Sequence, residues 1–165
     1  MRLLLILCFP VAAFAQSAPV ADAFRVNVKR VAKRLMLSAE EMPESKYGYK
    51  PTAGQMTFGE VVWHLAEEND VLCGAIGGTS APKRSTMAAT DTKAHLVARL
   101  EETFAYCDRA FASLDDRRLG QNIEGQSLAL VLINAVGHYA DHYSQAAIYL
   151  RLNGLLPPTA KDPSL

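Results

Sequence analysis

The sequence predicts an all-α protein, a four-helix bundle with long connections. Four separate segments carry apolar residues at intervals of three and four, which is the spacing of an amphipathic helix. No strand pattern competes with these segments, and the chain has no internal repeat. Half of its 165 residues are hydrophobic, which is enough for the core of one domain. The connections of about a dozen residues are long for a minimal bundle, so they should cross its ends or rim a pocket.

The first helix is predicted over residues 20–42, and Pro43 ends it. Its apolar residues recur at helical spacing: Phe24, Val28, Val31, Leu35 and Ala39. The second helix begins at Thr57, because a threonine followed three residues later by Glu60 forms the capping-box pattern. Glycines at 77–78 end this helix. The intervening residues 43–55 are rich in proline, glycine, tyrosine and lysine, which is typical of a structured loop.

The third helix is predicted over residues 92–114, with apolar residues again at helical spacing: Leu96, Leu100, Phe104 and Phe111. The fourth helix is predicted over residues 127–153. Gly154 is its expected C-terminal cap, and the prolines at 157–158 prevent further extension. Two polar stretches, 79–91 and 115–126, are interpreted as surface connections without strands.

The first fifteen residues predict a signal peptide. Arg2 gives a positive start, and residues 3–14 form an apolar run of signal-peptide length. Ala13 and Ala15 supply the small residues that signal peptidase requires, so we expect cleavage after Ala15. An uncleaved anchor is the alternative, but the run is shorter than the roughly twenty residues that span a membrane. The bundle domain would then comprise residues 16–165, located in the periplasm or secreted and free of the membrane.

Cleavage would remove Cys8 and leave Cys73 and Cys107. Two cysteines in an oxidising compartment predict a disulfide. It would close a loop of about 35 residues and stabilise the fold by roughly 3–4 kcal/mol in the chain-entropy model. Two separate buried thiols are the alternative.

The charge balance argues against a nucleic-acid-binding protein. Lys plus Arg and Asp plus Glu each number 17, whereas phosphate binding requires a basic face. One local basic cluster occurs on the first helix, and it is interpreted as a solvated helix face: Lys29, Arg30, Lys33 and Arg34.

His138 and His142 form the most informative pattern in the chain. Residues four apart lie on one face of a helix, so both imidazoles can bind one ion at the usual Zn–N distance of about 2.0–2.1 Å. The proposed inner stripe of the fourth helix contains both: Val131, Ala135, His138, His142, Gln145, Tyr149 and Leu152. Buried imidazoles need polar partners, and one metal ion would serve both. Two ordinary histidines, one of them half-exposed, are the alternative.

His64 is the candidate third ligand. It lies on the second helix, which an antiparallel arrangement can bring opposite His138 and His142. His95 begins the third helix among polar residues and is interpreted as a surface residue. Three neutral histidines that leave coordination positions open are typical of catalytic rather than structural sites.

Neighbouring side chains suggest further roles. Asp141, Gln145 and Glu68 are candidates to orient an imidazole or to transfer a proton. Surface solvation for Asp141 and interhelical hydrogen bonds for Gln145 and Glu68 are the simpler interpretations. Three tyrosines of the fourth helix are interpreted as packing residues: Tyr139, Tyr143 and Tyr149.

Three motifs resemble the DinB-like helical bundles, also described as YfiT-like metalloenzymes. They are FGEVVWHLA at 58–66, GHYADHYSQ at 137–145, and YLRLNG at 149–154 followed by two prolines at 157–158. The resemblance covers nearly all of the chain after the signal peptide. Family members place one metal-binding histidine in the second helix and an H-x-x-x-H pair in the fourth.

The resemblance implies that His64, His138 and His142 bind a divalent metal ion, often zinc or nickel, with water completing its shell. Several intracellular relatives are thiol S-transferases or isomerases that use a low-molecular-weight thiol. Some exported relatives carry one cysteine in each of the second and third helices, as Cys73 and Cys107 would be here. Because an exported protein does not meet the cytosolic thiol pool, export weakens the analogy with thiol transfer more than the metal site.

The sequence contains no paired E-x-x-H motifs of a di-iron bundle, no C-x-x-C-H haem motif and no G-x-S-x-G elbow. Two function hypotheses remain open. The protein is a metal-dependent hydrolase or thiol transferase that acts on a small molecule, or it is a non-catalytic metal- or small-molecule-binding bundle of the cell envelope. A third hypothesis, a bundle whose only role is to form dimer contacts, fits an intact set of three histidines poorly. A homodimer is compatible with either of the first two.

Overall fold

The computed structural model describes residues 18–165, and the predicted signal peptide, residues 1–15, lies outside this range. The all-α prediction is confirmed. Five α-helices, two single 3₁₀ turns and one small hairpin follow in chain order: α1 (Pro19–Glu41), a 3₁₀ turn (Glu44–Lys46), α2 (Phe58–Gly77), α3 (Lys93–Ala112), a 3₁₀ turn (Asp116–Arg118), β1 (Asn122–Ile123), β2 (Gln126–Ser127), α4 (Leu128–Leu152) and α5 (Pro158–Lys161).

Hydroxyl side chains define the starts of three long helices, because each binds a backbone N–H that has no partner within the helix. The Thr57 hydroxyl accepts from the Glu60 N–H at 3.1 Å, and the Glu60 carboxylate accepts from the Thr57 N–H at 2.5 Å. This is the predicted capping box. Thr92 and Ser127 cap α3 and α4 in the same way, so the predicted helix ends lie within one or two residues of those observed.

The four long helices surround one core, in which α2 packs mainly on α3 and α1 packs mainly on α4. Phe24 of α1 meets Phe111 of α3 edge to face, with ring centroids 5.1 Å apart. The centre of the core is formed by fully buried apolar side chains, among them Leu35, Leu65, Leu96, Leu100, Leu128 and Leu150. The bundle therefore owes its stability mainly to burial of apolar surface between helices.

Helices α2 and α4 run antiparallel along a shared seam. Phe58, at the start of α2, packs near Tyr149, towards the end of α4, with ring centroids 6.1 Å apart. Further along α2, Asn69 bonds to Tyr139 in the middle of α4. The start of α2 thus lies beside the end of α4, and later residues of α2 lie beside earlier residues of α4. This antiparallel arrangement can bring a histidine of α2 opposite those of α4.

The connection before α4 corrects the prediction that the chain has no strand. Asn122 pairs with Ser127 and Ile123 with Gln126 in a two-residue antiparallel hairpin. Its turn residues, Glu124 and Gly125, have φ values of 50° and 89°, as a two-residue hairpin turn requires. Strands this short show no periodicity that could be seen in the sequence. The short helix α5 was not predicted either; it begins with Pro158 at its first position, where proline is well tolerated.

A disulfide joins Cys73 of α2 to Cys107 of α3, with the Cα atoms 5.0 Å apart. Both side chains are almost completely buried, at 0% and 1% exposure. The bond therefore ties together the two most extensively packed helices of the bundle. Within residues 18–165, none of the helices combines the length and the apolar character that crossing a membrane requires.

Candidate metal centre

The structure brings His64, His138 and His142 together on the seam between α2 and α4. The ring centroids lie 5.5 Å apart for His64 and His138, 5.0 Å for His64 and His142, and 4.6 Å for His138 and His142. Each ring offers one nitrogen such that all three nitrogens lie within 4.8 Å of one another. The sequence-predicted set of three histidines thus forms a single cluster.

Two interhelical contacts bracket this cluster along the seam. On one side, the Phe58 and Tyr149 rings pack together, and the Tyr149 hydroxyl donates to the Met56 carbonyl at 2.5 Å. On the other side, the buried Tyr139 hydroxyl donates to Oδ1 of Asn69 at 2.7 Å. The two contacts hold the spacing of α2 and α4 above and below the histidines.

His138 has a buried nitrogen without a partner. Its Nε2 atom is inaccessible to solvent and makes no hydrogen bond within the described residues. Burial is the main cause that lowers the pKa of His138 to about 4, and the nearby charges of His142 and His64 lower it further. The imidazole is therefore neutral at physiological pH, which is the form that binds metals. An unsatisfied buried nitrogen is destabilising, and a metal ion bound among the three imidazoles would satisfy it.

His142 is oriented by its neighbour on the helix. Its Nδ1 atom lies 3.0 Å from Oε1 of Gln145, so the ring donates through Nδ1 and leaves Nε2 as the free lone pair. Burial lowers the pKa of His142 as well. Because this bond lies within α4, the interpretation of Gln145 as an interhelical bridge is wrong. The residue instead fixes the tautomer and direction of a candidate ligand, a common arrangement around metal-binding histidines.

The donor set fits one transition-metal ion. Three imidazole nitrogens suit zinc or nickel better than magnesium or calcium, which prefer oxygen ligands. In a tetrahedral shell with metal–nitrogen distances of about 2.0–2.1 Å, two ligand nitrogens lie roughly 3.4 Å apart. The three candidate nitrogens lie within 4.8 Å of one another, so binding of one ion would require the rings to turn towards a common point.

One side of the cluster opens into a cavity of about 450 Å³. Polar groups line it beside His138 and His142: Gln55, Asp141, Ser144, Gln145 and Tyr149. Two carboxylates, Glu68 and Asp141, lie near enough to favour the charged forms of both His138 and His142. The cluster thus has room for a small molecule at an open side and has acidic groups close by.

The remaining sequence-predicted residues take other places. His95 does not join the cluster: its side chain is 44% exposed, and its Nδ1 lies 2.8 Å from Oδ2 of Asp91. The proposed inner stripe of α4 extends too far, because Leu152 is 55% exposed. Leu128, Leu132 and Leu150 of α4 belong to the core instead.

A buried network of polar side chains beside the cluster was not predicted from the sequence. The Asn69 amide donates to the Thr103 hydroxyl at 3.1 Å and accepts from Tyr139. All three residues are at most 1% exposed, so Tyr139 is a hydrogen-bonding residue as well as a packing residue. Asn69 follows Leu65 by four residues and precedes Cys73 by four, and this spacing on the buried face of α2 was the available signal.

The fold and the site together define the class of this protein. It is an antiparallel helical bundle with a candidate metal site formed by three histidines. The family model described as DinB superfamily matches residues 27–146, a range that includes all three histidines. The chain therefore belongs to the DinB superfamily, whose members are generally metal-binding.

The fold has a counterpart among solved structures, described as the conserved protein of locus from Enterococcus faecalis. The two chains share 14% sequence identity with a TM-score of 0.63, and the match covers 82% of this chain and 98% of the other. At this identity the likeness establishes the fold alone. No curated protein matches the chain.

Proposed function

We propose that this protein binds one divalent metal ion, zinc or nickel, through His64, His138 and His142, and acts as a metal-dependent hydrolase or thiol transferase on a small molecule. The observation that carries the proposal is the unpartnered, buried Nε2 atom of His138 among two further imidazoles. A site with three histidine ligands leaves coordination positions free for a substrate, as catalytic sites do.

The residues around the cavity have distinct tasks in this proposal. An ion held by His64, His138 and His142 would supply Lewis-acid chemistry, which would polarise a substrate oxygen or lower the pKa of water or of a thiol. The Asp141 carboxylate lines the cavity and accepts a proton from the attacking group. The Gln55 amide and the Ser144 hydroxyl, in the same wall, offer hydrogen bonds that orient the substrate. Gln145 keeps His142 directed at the ion.

We also propose that the protein works outside the cytoplasm after removal of residues 1–15. The disulfide between Cys73 and Cys107 supports this location, because disulfides persist mainly in oxidising compartments. N-terminal sequencing of the protein purified from its native cells should give Gln16 as the first residue. Recovery of a chain that still begins at Met1 would contradict export by cleavage.

Metal analysis tests the site itself. Purified wild-type protein should contain about one divalent ion per chain, and the His138→Ala variant should lose it. The His95→Ala variant is the matched control, since it removes an exposed histidine outside the cluster and should retain the ion. Circular dichroism should show intact helices in both variants. A wild-type protein that binds no ion even after reconstitution with zinc or nickel would refute the proposal.

Activity separates an enzyme from a binding protein. Metal-loaded wild type, His138→Ala and His95→Ala should be compared in assays of ester or amide hydrolysis and of thiol transfer. We expect an activity that is lost in His138→Ala and retained in His95→Ala. A fully loaded wild type without either activity would favour the alternative, a non-catalytic binding bundle.

A further inference from the structure

A second and larger cavity, of about 660 Å³, lies next to the histidine cluster on the seam between α2 and α4. Its floor is the C-terminal half of α2, which begins with Glu68, one helical turn after His64. Because Glu68 follows His64 by one turn of α2, and Val131 precedes His138 by two turns of α4, this groove adjoins the cluster along the seam. Its volume lies within the usual range for small-molecule sites.

One wall of the groove is the segment 79–81, which crosses α2 in close contact. A Cβ atom at Gly74 would lie only 2.8 Å from the Thr79 carbonyl oxygen, so this approach requires glycine. The Thr79 N–H donates to the Gly74 carbonyl at 2.9 Å, and its hydroxyl bonds to that of Tyr106 at 2.8 Å. The wall is therefore held by both α2 and α3.

The opposite wall is formed by the β1–β2 hairpin and the start of α4. Ile123 of the hairpin packs against the core, and the Asn122 side chain accepts from the Gly125 N–H at 2.9 Å. The turn places Glu124 at the groove with φ at 50°, a conformation that residues other than glycine adopt infrequently.

The groove combines an apolar lining with negative charge. Its apolar residues are Val71, Leu72, Ala75, Ile123 and Val131. Its charged residues are Glu68 and Glu124, and none of the lysines and arginines in the described part of the chain lines it. Within residues 18–165 neither carboxylate forms an ion pair. Such a surface attracts a ligand that carries a positive charge on an apolar body.

We infer that this groove binds the substrate of the histidine centre, and that the substrate is an organic amine with an aromatic or aliphatic body. The ammonium group would lie between Glu68 and Glu124, and the apolar body would lie on the α2 floor. The reacting group would then extend past Glu68 to the histidines and to the cavity beside them, where Gln55, Asp141 and Ser144 lie. That the ligand is a substrate rests on the proposed function, whereas its binding in the groove does not.

Binding of three fluorescent probes of equal size tests this inference: 1-naphthylmethylamine, 1-naphthoate and 1-naphthalenemethanol. Wild-type protein at low ionic strength should bind the amine about tenfold more tightly than the anion, since two exposed carboxylates attract one and repel the other. Glu68→Gln and Glu124→Gln should each weaken amine binding about two- to fivefold and leave binding of the neutral alcohol unchanged. Added salt should reduce the preference for the amine.

Glu67→Gln is the matched control, because Glu67 immediately precedes Glu68 on α2 but lines a different cavity, with Trp63 and Arg84. It should bind all three probes as wild type does. Ala75→Leu, which fills the floor without a change in charge, should weaken the amine and the alcohol alike. Equal affinity for amine and anion, or an equal loss in Glu67→Gln and Glu68→Gln, would overturn the inference.

Zinc content measured on the same samples separates the two proposals. A wild type that holds zinc but shows no preference for the amine refutes the groove and leaves the metal site intact. A wild type that prefers the amine but holds no metal refutes the metal centre and leaves the groove as a binding site. Glu124→Gln should keep its zinc, because Glu124 belongs to the hairpin and not to the histidine cluster.

Discussion

Reduction of the disulfide between Cys73 and Cys107 should destabilise the fold without abolishing it. The two residues are separated by 34 positions. In the chain-entropy model, opening a loop of this length gives the unfolded chain enough additional freedom to lower the free energy of unfolding by about 4 kcal/mol. For a domain of this size, that loss corresponds to a fall of roughly 8–16 °C in Tm.

The structure gives a reason to expect close to the full entropic effect. The sulfur of Cys107 lies 3.6 Å from the Asn69 carbonyl oxygen, so a thiol formed there by reduction has an acceptor at hand. Reduction therefore creates no cavity, and the Cys107 thiol keeps a hydrogen-bond partner. A Cys73→Ala/Cys107→Ala variant also loses sulfur volume from a buried site and should be less stable than the reduced wild type.

The assay compares oxidised and reduced wild type in urea unfolding monitored by circular dichroism. Since both sulfurs are buried, the bond should be reduced in urea and the protein refolded under reducing conditions. The reduced protein should unfold at lower urea concentration. Thiol titration of unreduced, denatured protein should find neither Cys73 nor Cys107 free. Two free thiols, or equal stability before and after reduction, would refute the reasoning.

Two further predictions concern the seam. Tyr139→Phe removes the only hydrogen-bond donor to the buried Oδ1 of Asn69 among the described residues, and it should lower the free energy of unfolding by about 1–3 kcal/mol. Tyr49→Phe, which changes a half-buried tyrosine, is the control. Equal losses of stability for both variants in urea unfolding would contradict the role of the network. In the metal-free folded protein, the pKa of His138 is about 4, whereas its ordinary value is 6.5. As the pH falls, the histidine is therefore protonated in the unfolded chain before it is protonated in the folded protein. The free energy of unfolding should be highest above pH 6.5 and should decrease as the pH falls towards 4. The loss in free energy of unfolding is at most about 3 kcal/mol. In urea unfolding, the stability of His138→Gln should depend less on acid pH than that of the wild type. Identical pH profiles of stability for the two proteins would rule out the low pKa.

Much of the fold could be predicted because residues close together in the sequence mark the ends of the long helices. Thr57 with Glu60 marks a start, and Gly78, at φ 69°, marks an end. The β1–β2 hairpin could not be found in this way, since its strands have two residues each. Its formation depends on where Ile123 packs on the bundle, which is tertiary information. The same holds for the segment 79–81, whose path is set by contact with Gly74 rather than by its own sequence.

The three histidines that form the cluster were predicted from the sequence, but the residues that orient and support them were not. Spacing alone pairs His138 with His142, the polar setting of His95 leaves His64 as the candidate third ligand, and the family motif indicates the same three residues. The sequence does not show that Gln145 bonds to His142 within α4, because glutamine at this spacing is equally common on solvated faces. Nor does it show which polar residues of α2 are buried, since Asn69 is followed directly by Asp70 in a polar stretch.

The histidine cluster depends on two different kinds of geometry, one within α4 and one between α2 and α4. His138 and His142 lie on one rigid face of α4, so their mutual geometry is set by helix geometry. The distance from this pair to His64 depends instead on the gap between α2 and α4, which no interaction within a single helix determines. The contacts between Asn69 and Tyr139 and between Phe58 and Tyr149 determine that gap, and the Thr103 hydroxyl extends the first of them to α3. A preorganised gap spares the ion the cost of drawing the helices together, so the buried network should contribute to metal affinity although none of its members is a ligand.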